Sequence, residues 1–173
     1  MVRAKDRSQN ETPSPPVTQP LALKTMSATI PPKLEGLLQT FAGMKDRSER
    51  IQTLIDISGG FKDVPPAVAT RPFAEEHRVP NCESEAFVWA KDQPDGTLKY
   101  YFAVENPQGI SAKATAAILD KTLSGAPLDQ VVQVPGDIIY DIFGRELSMG
   151  KNMGLTGMLN MCKVEAAKRL RKS

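Results

Sequence analysis

Three side chains in this sequence have the intrinsic chemistry of a nucleophile, a soft ligand or a general base: Cys82, Cys162 and the single histidine, His77. Their settings differ. Cys162 falls at helical spacing with Leu155, Met158, Leu159, Ala166 and Leu170, which makes it a small buried hydrophobe. Cys82 lies in "RVPNCESEAFVWA". There Pro80 drives Asn81 away from helical backbone, Asn81 tolerates turn conformations, and the apolar run begins only after Ser84. The thiol belongs in a loop at the entry to a strand. From the residues alone it is either a reactive group or an ordinary half-buried side chain at a strand end.

The chemistry open to such a thiol is narrow. A cysteine hydrolase needs an oriented base, and His77, five residues earlier and across a proline, is badly placed to supply one. A zinc or iron–sulfur scaffold needs three or four soft ligands, more than Cys82, Cys162 and His77 provide at their spacing, so no metal site is assigned. Thiol exchange needs only a thiolate and an activated sulfur to attack. Two cysteines 80 positions apart make no disulfide framework, and a reducing compartment is the natural setting.

The elements that must position Cys82 can be read from periodicity. "PPKLEGLLQTF" opens a helix at Pro31–Pro32 with Leu34, Leu37, Leu38 and Phe41 on one face. A second helix starts at an Asp46 N-cap, places Ile51, Leu54, Ile55 and Ser58 on one side, and stops at Gly59–Gly60, so the two read as a helical hairpin. Prolines 65, 66, 72 and 80 make the next stretch a connection that ends in a short strand near Arg78 and Val79. "SEAFVWAK" and "TLKYYFAVE" flank the turn signal "DQPDG" and predict a β-hairpin with Leu98, Tyr100, Phe102 and Val104 facing the core and a wet opposite side. A helix from about Ser111 closes at Gly125, two short helices follow Pro127 and Gly136, and a last helix runs from about Asn152. The fold class is α+β: a small antiparallel sheet of about three strands with helices packed around it.

Length and charge bound the function classes. With 173 residues, the chain reads as a disordered N-terminal extension over 1–30, rich in Pro, Ser and Thr, and one domain over 31–173. An organelle transit peptide is the second reading of the extension, opposed by Asp6 and Glu11. The formal charge of +2 divides into +2 on residues 1–31, +4 on residues 163–173 and −4 on the body between. That distribution lacks the basic stripe of a nucleic-acid footprint, and the "KRLRK" near the C-terminus is a solvated helix end. No run approaches the ~18 apolar residues of a membrane span. The expectation is a cytoplasmic protein, with the plastid stroma as the alternative.

The segments also resemble those of a known family, the SufE (CsdE) sulfur acceptors of group II cysteine desulfurases. "VPNCESEAFVW" is similar to the family's cysteine-bearing segment, "GTLKYYFAVEN" to the strand that follows, "SGAPLDQVV" to its small-x-Pro-x-acidic segment, and "LSMGKNMGLTGMLNM" to its Leu-Ser-Pro-x-Arg-x-x-Gly signature. The likeness runs over residues 31–171. It implies a SufE/IscU-like fold in which Cys82 takes sulfane sulfur from a SufS-like desulfurase, stimulates it, and passes the sulfur to iron–sulfur assembly on a scaffold such as SufBCD. Such a protein is a sulfur-transfer accessory rather than a stand-alone enzyme. It brings no cofactor; the pyridoxal phosphate is the desulfurase's.

Carried onto this sequence, the resemblance makes Asn81, Glu83, Ser84, Lys151, Gly154 and Leu155 the residues that support the loop or meet the partner. Asn81 stands where the family has Gly, Glu83 and Glu85 where neutral residues are commoner, and Lys151 where Arg is usual. Asn keeps access to positive φ. The carboxylates would raise the thiol's pKa where Arg78 or Lys151 would lower it, unless Glu83 is solvated or meets basic residues of the partner. A sheltering role for the thiol falls to Leu155, Met153 and the hairpin aromatics. The alternative function is a binding module that activates a desulfurase or scaffold allosterically without carrying sulfur, and a homodimer stays open.

Overall fold

The computed structural model describes residues 29–172. The N-terminal extension read from the sequence lies almost wholly outside them. Helix α1 (Pro32–Gly43) has proline in its first turn, where the missing N–H has no intrahelical acceptor in any case, and buries Leu34 and Phe41. Helix α2 (Arg47–Gly59) is capped as its sequence predicts: the Asp46 carboxylate accepts from the Ser48 N–H at 3.0 Å, and Gly60 ends it. Strands β1 (Ala86–Asp92) and β2 (Leu98–Val104) pair antiparallel from Ala86 opposite Val104 to Asp92 opposite Leu98. Their turn is closed by Gly96 at φ +81° and by the Asp95 carboxylate, which accepts from the Thr97 N–H at 3.0 Å. Helices α3 (Ile110–Leu123), α4 (Leu128–Gln133), α5 (Ile138–Phe143) and α6 (Met149–Leu170) complete the chain.

The main core lies between the inner face of the hairpin and the helices. Leu98, Tyr100, Phe102 and Val104 of β2 meet the alanine-lined face of α3, and Leu155, Met158, Leu159 and Cys162 of α6 fill the space beside them. Ala112, Ala114 and Ala116 are buried, and their small side chains let α3 pack closely on its neighbours. The Tyr100 hydroxyl, fully buried, donates to the Cys162 carbonyl at 3.0 Å and so ties hairpin to α6. Among the described residues, no helix is long and apolar enough to cross a membrane.

Four expectations need correction. The sheet has two strands, not about three: Arg78 and Asp63 each form a single bridge, to Phe87 and Phe102, and the neighbouring prolines prevent a ladder from growing. The outer face of the hairpin is not wet. Residues 61–80 fold across it as a strap, and Phe73 packs on Phe87 and Trp89 at ring-centroid distances of 5.1 and 4.9 Å, with Val64 and Ala103 buried beside them. Helices α1 and α2 do not pair as a hairpin; each packs on α3 and α5. And α6 starts at Met149, three residues before the predicted start, because Ser148 supplies a cap and no proline opposes the extra turn.

What joins α1 to α2 is one side chain. The Arg50 guanidinium donates to the carbonyls of Phe41 and Met44 at 2.8 and 3.3 Å and to those of Asp141 and Ile142 at 2.7 and 2.9 Å. These are carbonyls at the C-terminal ends of α1 and α5, where the helix runs out of backbone donors; that of Phe41 also accepts from the Met44 N–H at 3.1 Å. Replacing Arg50 with Met keeps the stem and removes all four bonds. We expect urea denaturation to show a loss of about 2–3 kcal/mol at unchanged m-value, only partly recovered by Arg50→Lys, whose single ammonium cannot span both helix ends.

Candidate functional site

Cys82 lies in the loop between a 3₁₀ turn (Glu75–His77) and β1. The loop is stitched at both ends. Val79 donates to the Ala86 carbonyl at 2.8 Å, Glu85 to the Cys82 carbonyl at 3.1 Å, and the Ser84 and Glu85 carbonyls accept from Asn106 and Glu105 beyond β2 at 3.2 and 3.1 Å. Asn81 takes φ +57°, as its type allows, but so does Glu85 at +47°, where a longer side chain gains nothing from the conformation. Glu85 is held there by Arg78, at 2.9 Å.

The floor under the loop is a helix face without side chains. Gly150, Gly154 and Gly157 fall at i, i+4 and i+7 on α6. A Cβ on Gly154 would lie 3.1 Å from Cys82 Cα and 3.3 Å from both its Cβ and Sγ; one on Gly157 would lie 2.8 Å from Val79 Cγ1; one on Gly150 would lie 2.7 Å from Glu83 Oε1. The thiol can therefore press on the helix backbone only because these positions are glycine. Cys82 ends half-buried, packed against the edge of the main core.

Cys82 and Glu83 form a ridge between two hollows. On one side a cleft of about 520 Å³ is bounded by α2, the start of α3 and the first turns of α6; Ile51, Leu54, Ile55, Ile110 and Leu155 give it an apolar wall, faced by polar groups that include Arg47, Asn106, Gln108 and Lys151. On the other a more open depression is lined by Glu75, Arg78, Pro80 and Asn81. Ile51, Ile55 and Ile110 remain 46, 41 and 46 % exposed although they line the cleft, and Met149 and Met153 are exposed on α6 nearby. The mouth carries an exposed ion pair between Arg47 and Glu146 at 3.1 Å.

The residues singled out from the sequence gather around this ridge. Asn81, Glu83 and Ser84 flank the thiol, Lys151 and Leu155 line the cleft, and Gly154 touches Cys82. Two expectations fail. Met153 is 48 % exposed, and the hairpin aromatics line neither the cleft nor the depression; of the expected cover Leu155 lines the cleft beside Cys82, which rests on the bare helix at Gly154. Periodicity also puts Ile51 and Ile55 on a core face, which the cleft contradicts, and it does not single out Gly150 and Gly157, whose helical spacing with Gly154 is the available signal. His77 belongs to the outer face, its Nδ1 donating to the Val88 carbonyl at 2.9 Å and its ring 5.2 Å from Trp89.

Cys162 is chemically silent by comparison. It is fully buried in α6, and burial pushes its thiol far above the ordinary range, so almost no thiolate forms at neutral pH. Among the described residues no group of three or more His, Cys, Asp or Glu side chains converges in a way that could hold a metal ion.

Residues 35–166 match the family described as SufE, the Fe-S metabolism associated domain. The chain is 24% identical over 138 residues to "SufE-like protein 1, chloroplastic/mitochondrial" of Arabidopsis thaliana, an alignment that covers 79% of this chain and 35% of the relative. The chain thus spans about a third of that protein's length. The solution structure of a hypothetical protein from Thermus thermophilus superposes with a TM-score of 0.62 at 26% identity, covering 82% of this chain and 98% of that one. With the family match extending over most of the sequence, the chain belongs to the SufE family of Fe–S metabolism proteins.

Proposed function

We propose that the protein is a persulfide relay that accepts sulfur on Cys82 from a cysteine desulfurase. The observation that carries this reading is that the half-buried Cys82 lines an open cleft with an exposed isoleucine wall, while the other described cysteine is sealed in the core. In the transfer, the Cys82 thiolate attacks the terminal sulfur of a persulfide on the desulfurase. A new S–S bond forms at Cys82, the partner's S–S bond breaks, and the partner's cysteine leaves as a thiolate. The exchange is balanced and needs no outside oxidant. The desulfurase's pyridoxal phosphate charges its own cysteine from L-cysteine, and this chain contributes the acceptor sulfur and its shelter.

Exposed Ile51, Ile55 and Ile110 around the cleft support docking by an apolar segment that carries the donor persulfide. The cover supplied by Leu155 and α6 keeps the loaded sulfur from stray thiols and oxidants until a partner is bound. The onward recipient is an iron–sulfur scaffold of the SufBCD kind. The cytoplasm is the compartment we favour, with the plastid stroma second.

Incubation with a group II desulfurase and L-cysteine tests the reading by intact-mass measurement. We expect the wild type to gain one sulfur, Cys82→Ser to gain none, and Cys162→Ala to gain one as before. A Cys82→Ser variant that stimulates cysteine turnover in full, beside a wild type that never gains sulfur, would replace the relay with an allosteric binding module. Thiol titration of the free wild type should find one accessible cysteine in the native state and two after denaturation. Gly154→Val should lower stability by about 1–3 kcal/mol in thermal unfolding and slow sulfur acceptance, because its side chain occupies the seat of the Cys82 loop.

A further inference from the structure

We infer that Glu83 is a positioning residue: a latch that holds the Cys82 loop on α6 and whose release presents the thiol. The purpose of the latch rests on the sulfur-relay reading, but its existence does not. The Glu83 carboxylate lies over Gly150 in the first turn of α6. That turn contains no acidic residue of its own, and its cap is weak, with Ser148 Oγ accepting from the Lys151 N–H at 3.4 Å. The first amides of a helix have no intrahelical acceptors and bear partial positive charge, so a carboxylate there is attracted from outside.

No competing partner accounts for the position. Glu83 forms no ion pair among the described residues, whereas Glu85, two residues on, is taken by Arg78 on the other side of the loop. The remaining contacts along the glycine face are apolar or main-chain: Cys82 on Gly154, and Val79 and Pro80 on Gly157. Glu83 is thus the polar end of a loop that otherwise rests on the helix by fit alone. Positive φ at Asn81 and Glu85 brackets the same segment, whose ends are held by backbone hydrogen bonds while Cys82 and Glu83 lie against α6. A basic side chain brought by a docking partner would compete for the carboxylate, and the loop would open where and when the partner arrives.

The test is the rate at which iodoacetamide alkylates Cys82 in the free, full-length protein as a function of pH. Removing a carboxylate that acts only through its charge shifts the midpoint of that profile and leaves the alkaline plateau, where the thiol is fully ionised, unchanged or slightly lower, because thiolate nucleophilicity falls with the thiol's pKa. A latch lowers the plateau. We expect Glu83→Gln to raise the plateau about two- to fivefold, the range set by a carboxylate at a helix start. Gly150→Ala, which keeps the charge but puts a methyl 2.7 Å from the carboxylate's present place, should raise it similarly, and so should Glu83→Asp, which keeps the charge on a shorter stem. Alanine favours the helix, so Gly150→Ala should not unfold it. Plateaus equal to wild type in all three variants would overturn the latch, even if Glu83→Gln moved the midpoint. Raised plateaus in a protein that never gains sulfur from a charged desulfurase would keep the latch and remove the relay.

Discussion

The structure depends on the contact between a loop and a helix that has no side chains where they meet. The Cys82 main chain reaches within van der Waals distance of α6 because Gly150, Gly154 and Gly157 leave that face bare. Each glycine inside a helix is unfavourable by about 1 kcal/mol relative to alanine. The adjoining face offsets this: Leu155, Met158, Leu159, Cys162 and Ala166 are buried along it. One helix therefore serves two surfaces, a packed one that anchors it in the core and a smooth one that receives the Cys82 loop.

The rest of the fold keeps those two surfaces in register. The Tyr100 hydroxyl binds α6 at its middle, Lys163 Nζ donates to the Val134 carbonyl at 2.5 Å, and Arg169 pairs with Asp92 at the far end of β1 at 2.9 Å. A two-stranded sheet alone is marginal in water. Here it is covered on both faces, by the helices within and by the strap over 61–80 outside, where Arg71 pairs with Asp63 and Glu105 at 2.9 and 2.7 Å and stacks 4.6 Å over Phe73. The stitched ends of the Cys82 loop inherit that rigidity, since Val79 and Glu85 bond to residues at the hairpin's edge.

Reactivity and protection are set by the same geometry. Cys162 and Cys82 are the same chemical group, yet full burial suppresses ionisation of one while the ridge between two hollows gives the other access. The apolar side chains around the cleft remain exposed because no described element of this chain covers α2 on that side. A surface of that composition is stable in water only at modest size, and its position next to the thiol gives it a use.

The sequence alone determined the order of the elements, the face of β2 that enters the core, the Asp46 cap, the burial of Cys162 and the loop setting of Cys82. These follow from local rules: spacing of apolar residues, proline and glycine stereochemistry, and side-chain capping. It was silent about which neighbour each face would meet. Periodicity places Ile51, Leu54 and Ile55 on one side of α2, but only the packed structure separates Leu54, buried, from the two isoleucines left exposed at the cleft. Proline spacing marks residues 61–80 as a connection, and only the tertiary fold lays them over the hairpin. Gly150, Gly154 and Gly157 are visible as a pattern, but a pattern of absent side chains has no meaning until another segment is found lying against it, because the interaction is made by what approaches and not by the glycines themselves.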